Sequence, residues 1–189
     1  TDTETDDELA ERTIIAPSGF SVAGPEDAYI YRCKEYSTAI KDTAVYSGTP
    51  GTVNIRILLE DNSTPSRGFI DGLSDYLTEA PARPLTDHVV IAGPDKVAYN
   101  IKITYYIGKL SRASAAMIQE AVEMAIEDFE EWQTGKIGRD INPDELTVRL
   151  KAAGVKRVII TEPEFKVLEE WQIAALGTKT ITYGGIEND

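Results

Sequence analysis

The side chains that could do chemistry in this chain are few and widely separated. His88 is the only histidine and Cys33 the only cysteine among 189 residues. A nucleophilic triad would need His88 as its base, yet Cys33 lies on the apolar stripe of a predicted helix, and the sequence contains no Gly-x-Ser-x-Gly motif. One histidine and one distant cysteine also match none of the usual zinc-ligand spacings. The sequence therefore predicts no catalytic, metal-binding or cofactor-binding residues, and we interpret His88 as a polar residue at the start of a strand.

Carboxylates, in contrast, are plentiful. A predicted long helix carries a row of them, mostly away from its apolar stripe: Glu120, Glu123, Glu127, Glu130 and Glu131. A glycoside hydrolase needs two carboxyl groups across a cleft, separated by ~5 Å or by ~6.5–9.5 Å. Because these glutamates fall on the face expected to be solvated, we interpret them as a wet helix surface. A carboxylate-dependent glycan hydrolase stays open as one alternative.

Exposed aromatic residues suggest a second alternative, a module that binds carbohydrate or another small ligand. Trp132 continues the apolar stripe of the long helix and is interpreted as core. Trp171 lies in the polar, poorly periodic segment "EFKVLEEWQ" and is the better candidate for a contact surface. The segment "GKIGRD" (135–140) matches neither a dinucleotide fingerprint nor a Walker motif, and its predicted task is to end the long helix.

Composition narrows the classes of partner. The formal net charge of -13 argues against nucleic acid, because phosphate binding needs clustered Lys and Arg. No segment approaches the ~20 apolar residues of a membrane-crossing helix, so no membrane partner is expected. A hydrophobic content of 42% and a charged content of 27% are typical of a globular protein. The chain begins with Thr1 rather than methionine, which favours a portion of a longer protein.

The spacing of apolar residues predicts the elements that hold these side chains. Helical stripes occur three times: Tyr29, Cys33 and Tyr36; Phe69, Leu73, Tyr76 and Leu77; and Ile118, Val122, Ala125, Phe129 and Trp132. Asn142 and Pro143 are typical of a fourth helix start, and Ser111 is predicted to cap the long helix. Thr5 and Glu8 form a capping-box pattern that predicts a short helix near the beginning of the chain.

A helix followed by a β-hairpin recurs three times in this pattern, over Pro25–Glu60, Thr64–Ile107 and Pro143–Tyr183. The predicted fold class is therefore α+β, with tandem helix plus β-hairpin units and helices packed on small antiparallel or mixed sheets. Polar loop residues cluster at 62–66 and favour a division there. We predict an N-terminal α+β domain with an acidic leader at 1–62, and a C-terminal α+β domain containing the long amphipathic helix at 63–189.

Several segments carry a likeness to a known family. In order and spacing, "APSGFSVAGPEDAYIYR", "PGTVNIRIL", "RPLTDHVVI", "GRDINPDEL" and "AGVKRVIITEP" resemble segments of the baseplate J-like family. These are wedge proteins of contractile phage tails and related injection machines. The likeness runs from about Ala16 to about Gly185, with His88 standing where the family pattern favours Arg. Residues 165–172 match poorly.

The resemblance implies a structural role in baseplate assembly, with no enzymatic activity. Other baseplate wedge subunits and further copies of the same chain are the expected partners, and no nucleic acid, membrane or small-molecule substrate is expected. The implied location is the tail baseplate of a virion, with the bacterial cytoplasm before assembly. The family's proteins carry a further N-terminal region, so this chain would be a middle and C-terminal portion. Within the hairpin that "RPLTDHV" introduces, Pro84 restricts the backbone of Arg83.

Overall fold

The computed structural model describes residues 26–79 and 88–188. The chain divides into two compact units, residues 1–95 and 96–189. In chain order the described elements of the first unit are helix α1 (Glu26–Tyr36), strands β1 (Ile40–Thr49) and β2 (Thr52–Leu59), helix α2 (Arg67–Glu79) and strand β3 (His88–Ala92). Strand β4 (Asp95–Gly108), a 3-10 helix (Lys109–Ser114), helices α3 (Ala115–Thr134) and α4 (Pro143–Ala152), and strands β5 (Arg157–Glu162) and β6 (Gln172–Glu187) follow.

The described residues of the first unit form a three-stranded sheet with two helices. Strands β1 and β2 form an antiparallel hairpin, and β3 joins β2 in parallel, from Thr52 opposite His88 to Arg56 opposite Ala92. Alternation along β2 buries Ile55 and Ile57 completely. These side chains form a core with residues from β1 and both helices: Tyr29, Cys33, Ile40, Leu73 and Leu77.

The described helices of the first unit begin at Glu26 and at Arg67, the second of them three residues after Thr64, where the sequence pattern placed the start of its unit. Glu26 and Asp27 lie in the first turn of α1, where a carboxylate favours the positive end of the helix dipole. Ser66 caps α2, because its Oγ accepts a hydrogen bond from the Phe69 amide at 3.3 Å. Tyr36 packs edge-on against Phe69 with ring centroids 5.5 Å apart, which joins the two helices.

The second unit is a sheet in the order β5-β4-β6. Strand β5 runs antiparallel to β4. On the other side, Thr178 donates its amide to the Asn100 side chain at 2.9 Å, and the rings of Tyr105 and Tyr183 lie 5.4 Å apart. Because these contacts advance in the same direction along both strands, β6 runs parallel to β4.

Helix α3 covers the inner face of this sheet. Val122, Ile126 and Phe129 are fully buried, and Phe129 meets Tyr99 of β4 edge-on at 6.4 Å. The Asn142 side chain caps α4 by accepting from the Asp144 amide at 3.0 Å, with Pro143 as first helical residue. These contacts belong to a core drawn from the sheet and both helices: Tyr99, Ile101, Ile103, Tyr105, Ile107, Val122, Ile126, Phe129, Ile141, Leu146, Leu150, Val155, Leu168 and Ala174.

The α+β class with small mixed sheets is confirmed, whereas two of the three predicted hairpins are wrong. Of the three predicted hairpins, only the one formed by β1 and β2 is present. Strands β3 and β4 belong to different sheets, and β4 lies between β5 and β6. The local sequence pattern of each predicted pair of strands is compatible with a hairpin. Which strands pair is decided instead by which apolar faces meet across the core.

Other sequence expectations differ in position. The division between the compact units falls between Asp95 and Lys96, whereas the sequence pattern placed it after Asn62. Strand β3, which follows Asn62 in the chain, completes the sheet of the first unit. The predicted cap of the long helix at Ser111 is wrong, because a 3-10 helix occupies that segment and α3 begins after Ser114. The predicted helix at Thr5 and the residues 83–87 of "RPLTD" lie outside the described residues.

Candidate protein-interaction surface

A solvent-facing groove lies in the second unit, where β5 ends and β4 continues. It has a volume of about 450 Å³ and is lined by Ala98, Tyr99, Asn100, Ile141, Glu162, Pro163, Glu164, Phe165 and Lys166. One wall is the first half of β4, and the other is the connection between β5 and β6. Three segments far apart in sequence therefore meet at this surface.

The connection between β5 and β6 is anchored to the loop after α3. Ile141 and Lys166 exchange two main-chain hydrogen bonds, of 2.9 and 3.1 Å. Asp140 accepts the Leu168 amide at 2.9 Å, and Gly138 donates to the Gln172 carbonyl at 2.7 Å. These bonds hold the outer wall of the groove in place.

The loop itself is held by a fully buried glutamine at the end of α3. The Gln133 amide nitrogen donates to the Asp140 carbonyl at 3.0 Å, and its oxygen accepts the Asn142 amide at 3.2 Å. Because both ends of this amide are satisfied, its burial does not carry the cost of an unpaired polar group. Gln133 therefore links the end of α3 to the start of α4.

Trp132 and Arg139 complete this anchor. The Arg139 guanidinium lies over the Trp132 ring at 4.2 Å and donates to the Trp132 carbonyl, while Arg149 stands 5.7 Å from the same ring. Two guanidinium groups therefore lie beside the Trp132 ring, whose face a carbohydrate would need for stacking. The segment "GKIGRD" therefore ends α3 and holds the wall of the groove in position.

The outer wall presents apolar side chains to solvent. Phe165 is 59% exposed and Val167 is 67% exposed. An isolated exposed apolar residue is ordinary, but here Phe165 lines a groove that also includes the buried Ile141, and Val167 follows it in the same connection. This arrangement suits a contact with another protein.

The residues considered first for chemistry are not brought together. His88 is exposed at the first position of β3, where its amide donates to the Gly51 carbonyl at 2.8 Å. Cys33 is fully buried beneath the first sheet, and burial raises the pKa of its thiol to about 12. A thiol with so high a pKa is protonated at neutral pH and is a poor nucleophile.

The glutamates of α3 do not line the groove described above. Glu120, Glu123, Glu127 and Glu131 are exposed. Glu130, more sheltered, forms an ion pair with Lys179 of β6 at 2.7 Å. In the described ranges 26–79 and 88–188, no cluster of three or more His, Cys, Asp or Glu side chains is arranged to hold a metal ion.

Two carboxyl groups elsewhere have displaced pKa values, and both are displaced downwards. Hydrogen bonds from Ser63 lower the pKa of Asp61, and the Arg157 guanidinium lowers the pKa of Glu187. A general acid in a glycosidase requires the opposite displacement. These two groups are therefore suited to structural pairing, and Arg157 also stacks on the Tyr106 ring at 4.0 Å.

The groove is lined by a different aromatic residue from the one that the sequence favoured for a contact surface. Trp171 is half-buried, whereas Phe165, six residues earlier in the same segment, is exposed beside the groove. The alternating pattern of "PEFKVLEE" could have indicated Phe165, because a short strand-like stretch after a proline presents every second side chain outwards. The contribution of β4 could not be found in this way, since it depends on where β5 stops.

The fold and the groove define an α+β protein of two compact units, with a sheet edge exposed beside an apolar-rimmed depression. The Baseplate J-like central domain matches residues 21–93, and the Baseplate J-like protein C-terminal domain matches residues 99–182. The chain belongs to the baseplate J-like family.

One curated relative and one solved structure illustrate this membership. Baseplate protein J of Escherichia phage P2 is 29% identical over 161 residues, which cover 85% of this chain and 52% of that protein. The chain thus spans about half the length of this relative. A cryo-EM structure of the anti-feeding prophage (AFP) baseplate, 6-fold symmetrised, matches with a TM-score of 0.64 at 12% identity. The match covers 92% of this chain and 42% of that one, and it supports the fold alone.

In the part of the chain that the structure describes, no helix is both long and apolar enough to cross a membrane.

Proposed function

We propose that this chain is a structural component of the baseplate of a contractile phage tail or a related injection system, and that it acts through protein–protein contacts. The observation that carries the proposal is the ordered match of the central and C-terminal family domains over residues 21–93 and 99–182. Its relatives are named as baseplate proteins. The proposed partners are other wedge subunits and further copies of the chain.

The surface of the second unit is consistent with this role. A groove lined by Phe165 and the buried Ile141, with Val167 exposed in the same connection, offers apolar area that a neighbouring subunit would cover. Stable interfaces of permanent assemblies often exceed ~2,000 Å², so this groove would be one part of a larger contact. We infer a non-enzymatic role for the chain. Its proposed location is the bacterial cytoplasm before assembly and the tail baseplate of the particle afterwards.

A deletion experiment tests the proposal. The gene is removed from the phage or prophage that encodes it, and the particles are viewed by electron microscopy with and without the gene supplied on a plasmid. We expect the deletion strain to lack tails with complete baseplates and the plasmid to restore them. A plasmid copy with Met124→Ala, a change at an exposed position of α3, serves as a matched control. Complete baseplates in the deletion strain would contradict the proposal.

Self-association is tested separately by sedimentation velocity of the purified chain over a concentration series. An increase of the sedimentation coefficient with concentration is expected if copies of the chain contact one another. A constant monomer coefficient in isolation and also in mixtures with the other baseplate proteins would remove both proposed kinds of partner.

A further inference from the structure

Strand β4 is longer than the strand beside it. It covers Asp95–Gly108, but its ladder with β5 extends only from Tyr106 to Lys102. Pro163, which has no amide hydrogen, follows the last residue of β5, and the chain then leaves to pair with Ile141. Within the described residues 88–188, the first half of β4 therefore has a neighbour on the β6 side alone.

The direction of the main-chain groups can be worked out from the paired half. The Tyr106 carbonyl accepts the Lys156 amide at 3.0 Å, so even-numbered residues of β4 direct their main-chain groups towards β5. The Tyr99 carbonyl, from an odd-numbered residue, faces Gly177 of β6. The register shift near Lys102 inserts its extra residue, Thr161, in β5 and leaves the alternation of β4 intact.

It follows that Lys96, Ala98 and Asn100 direct an amide and a carbonyl each towards the open edge. Their side chains are all exposed, so they do not cover it. An open row of donors and acceptors is a template for one more strand. A segment of about five residues, roughly 16 Å long at ~3.3 Å per residue, would match it.

The groove provides more than a bare edge. Ala98 and Asn100 form one wall, Ile141 lies at the floor, and Phe165 and Pro163 form the opposite wall. An added strand would therefore satisfy the main-chain groups on one side and place alternate side chains against apolar atoms on the other. This combination of backbone pairing and side-chain pockets is the general form of strand-addition recognition.

Charge indicates which strand would bind. Glu162 and Glu164 line the groove against a single basic side chain, Lys166. The whole chain has a net charge of -13. A second copy would bring the same excess of negative charge, so electrostatic complementarity favours a basic segment of a different protein.

We propose that the open half of β4 binds an extended, basic segment of another baseplate subunit by strand addition, with Lys96, Ala98 and Asn100 as the main-chain contacts. This inference rests on the proposed function and names the edge and the chemistry of the partner. The occupant is a strand with alternating apolar residues and a net positive charge.

The test uses a proline at the open edge. Ala98→Pro removes one amide that would pair with the added strand, and proline is tolerated in an edge strand where its missing hydrogen faces away from the sheet. The matched control is Ala98→Ser, which keeps the amide at the same exposed position. Thermal unfolding followed by circular dichroism confirms that both variants fold.

The probes are fluorescent 12-residue peptides that overlap along the other baseplate proteins encoded with this chain, together with peptides from the chain itself. Fluorescence anisotropy measures their dissociation constants. We expect peptides of positive net charge from another subunit to bind, with affinity reduced at least tenfold by Ala98→Pro and unchanged by Ala98→Ser. A double change, Glu162→Lys with Glu164→Lys, is expected to weaken the same peptides, while Glu123→Lys on α3 leaves them unaffected.

Three results of the binding measurements would overturn the inference: no peptide binds, the proline and serine variants bind equally, or the peptides that bind come from this chain and indicate self-association. None of these bears on the deletion experiment. If the chain with Ala98→Pro still restores complete baseplates, the strand-addition proposal is contradicted, whereas the proposed structural role is not affected.

Discussion

Gly138 fixes the course of the backbone in the loop after α3. Gly138 has a φ of +72°, and a Cβ placed on it would lie 3.3 Å from the Glu170 Cα. Gly138 also donates to the Gln172 carbonyl, so its conformation sets where β6 begins. The glycine is required because an L side chain in this left-handed conformation is strained.

Gly138→Ala is therefore expected to lower the free energy of unfolding by about 1–2 kcal/mol, since a left-handed conformation costs that much for an L residue. Urea denaturation measures the change. Gly48→Ala is the control, because Gly48 has open space around it and no positive φ; its effect should stay within ~0.5 kcal/mol. Equal losses in both variants would show that the left-handed conformation is not what Gly138 supplies.

Cys33 makes a second prediction at the residue scale. Burial raises its thiol pKa to about 12, whereas an unfolded thiol titrates near 8.5. The folded protein should therefore resist Ellman's reagent at pH 8 and react once guanidinium unfolds it. Rapid labelling of the folded chain would contradict the burial of this side chain.

The same displacement links Cys33 to stability. The contribution of the buried, protonated Cys33 thiol to the free energy of unfolding is complete below about pH 8.5. It is lost as the pH rises towards 12, because the unfolded thiol ionises first. Other groups titrate in this range, so the measurement is the difference between the chain and Cys33→Ala. We expect the variant to lose less stability over this interval.

At the scale of elements, helix α3 makes the contacts that hold the second unit together. Its buried stripe meets β4, its end is held by Gln133, and its exposed face carries the glutamates. Phe129 is fully buried between Tyr99, 6.4 Å away, and Trp132, 6.1 Å away. This side chain thus joins the helix to strand β4, whose Tyr99 also lines the groove.

Phe129→Ala is expected to cost about 3–5 kcal/mol of unfolding free energy, through lost burial and the cavity left behind. Chemical denaturation gives the value. Met124→Ala, on the same helix at 55% exposure, should change stability by no more than ~0.5 kcal/mol. A small loss at Phe129 would mean that the surrounding side chains close the cavity.

At the scale of the whole molecule, each unit has its own core. The core of the first unit lies between Tyr29 and Leu77, with Val89 and Ile91 of β3 packed against it. The core of the second is built entirely from residues after Asp95. The matched family domains end and begin on either side of the same position.

Residues 96–189 produced alone are therefore predicted to fold. The measurements are far-UV circular dichroism and a cooperative denaturant transition, which a single domain of this size is expected to show. Phe129→Ala in this fragment should lower its stability by the same amount as in the full chain, since its neighbours are all present. A fragment without a cooperative transition would show that the second core needs the rest of the chain.

Local periodicity determined the helices of this protein. The stripe of Ile118, Val122 and Phe129 and the cap at Asn142 depend only on neighbours within a few turns, so they could be predicted from the sequence. The family resemblance likewise followed from short ordered motifs. Composition also limited the catalytic chemistry that the chain could perform, because one histidine and one cysteine far apart offer few catalytic arrangements.

Tertiary structure alone decided which strands pair and where the groove lies. The segment from His88 to Ile107 satisfies the local rules of a hairpin, yet its two strands enter different sheets. The groove joins residues near 98, 141 and 164, which no local pattern connects. Helical patterns repeat within a few residues, whereas strand partners and open edges depend on contacts between distant segments, and those are fixed only when the core assembles.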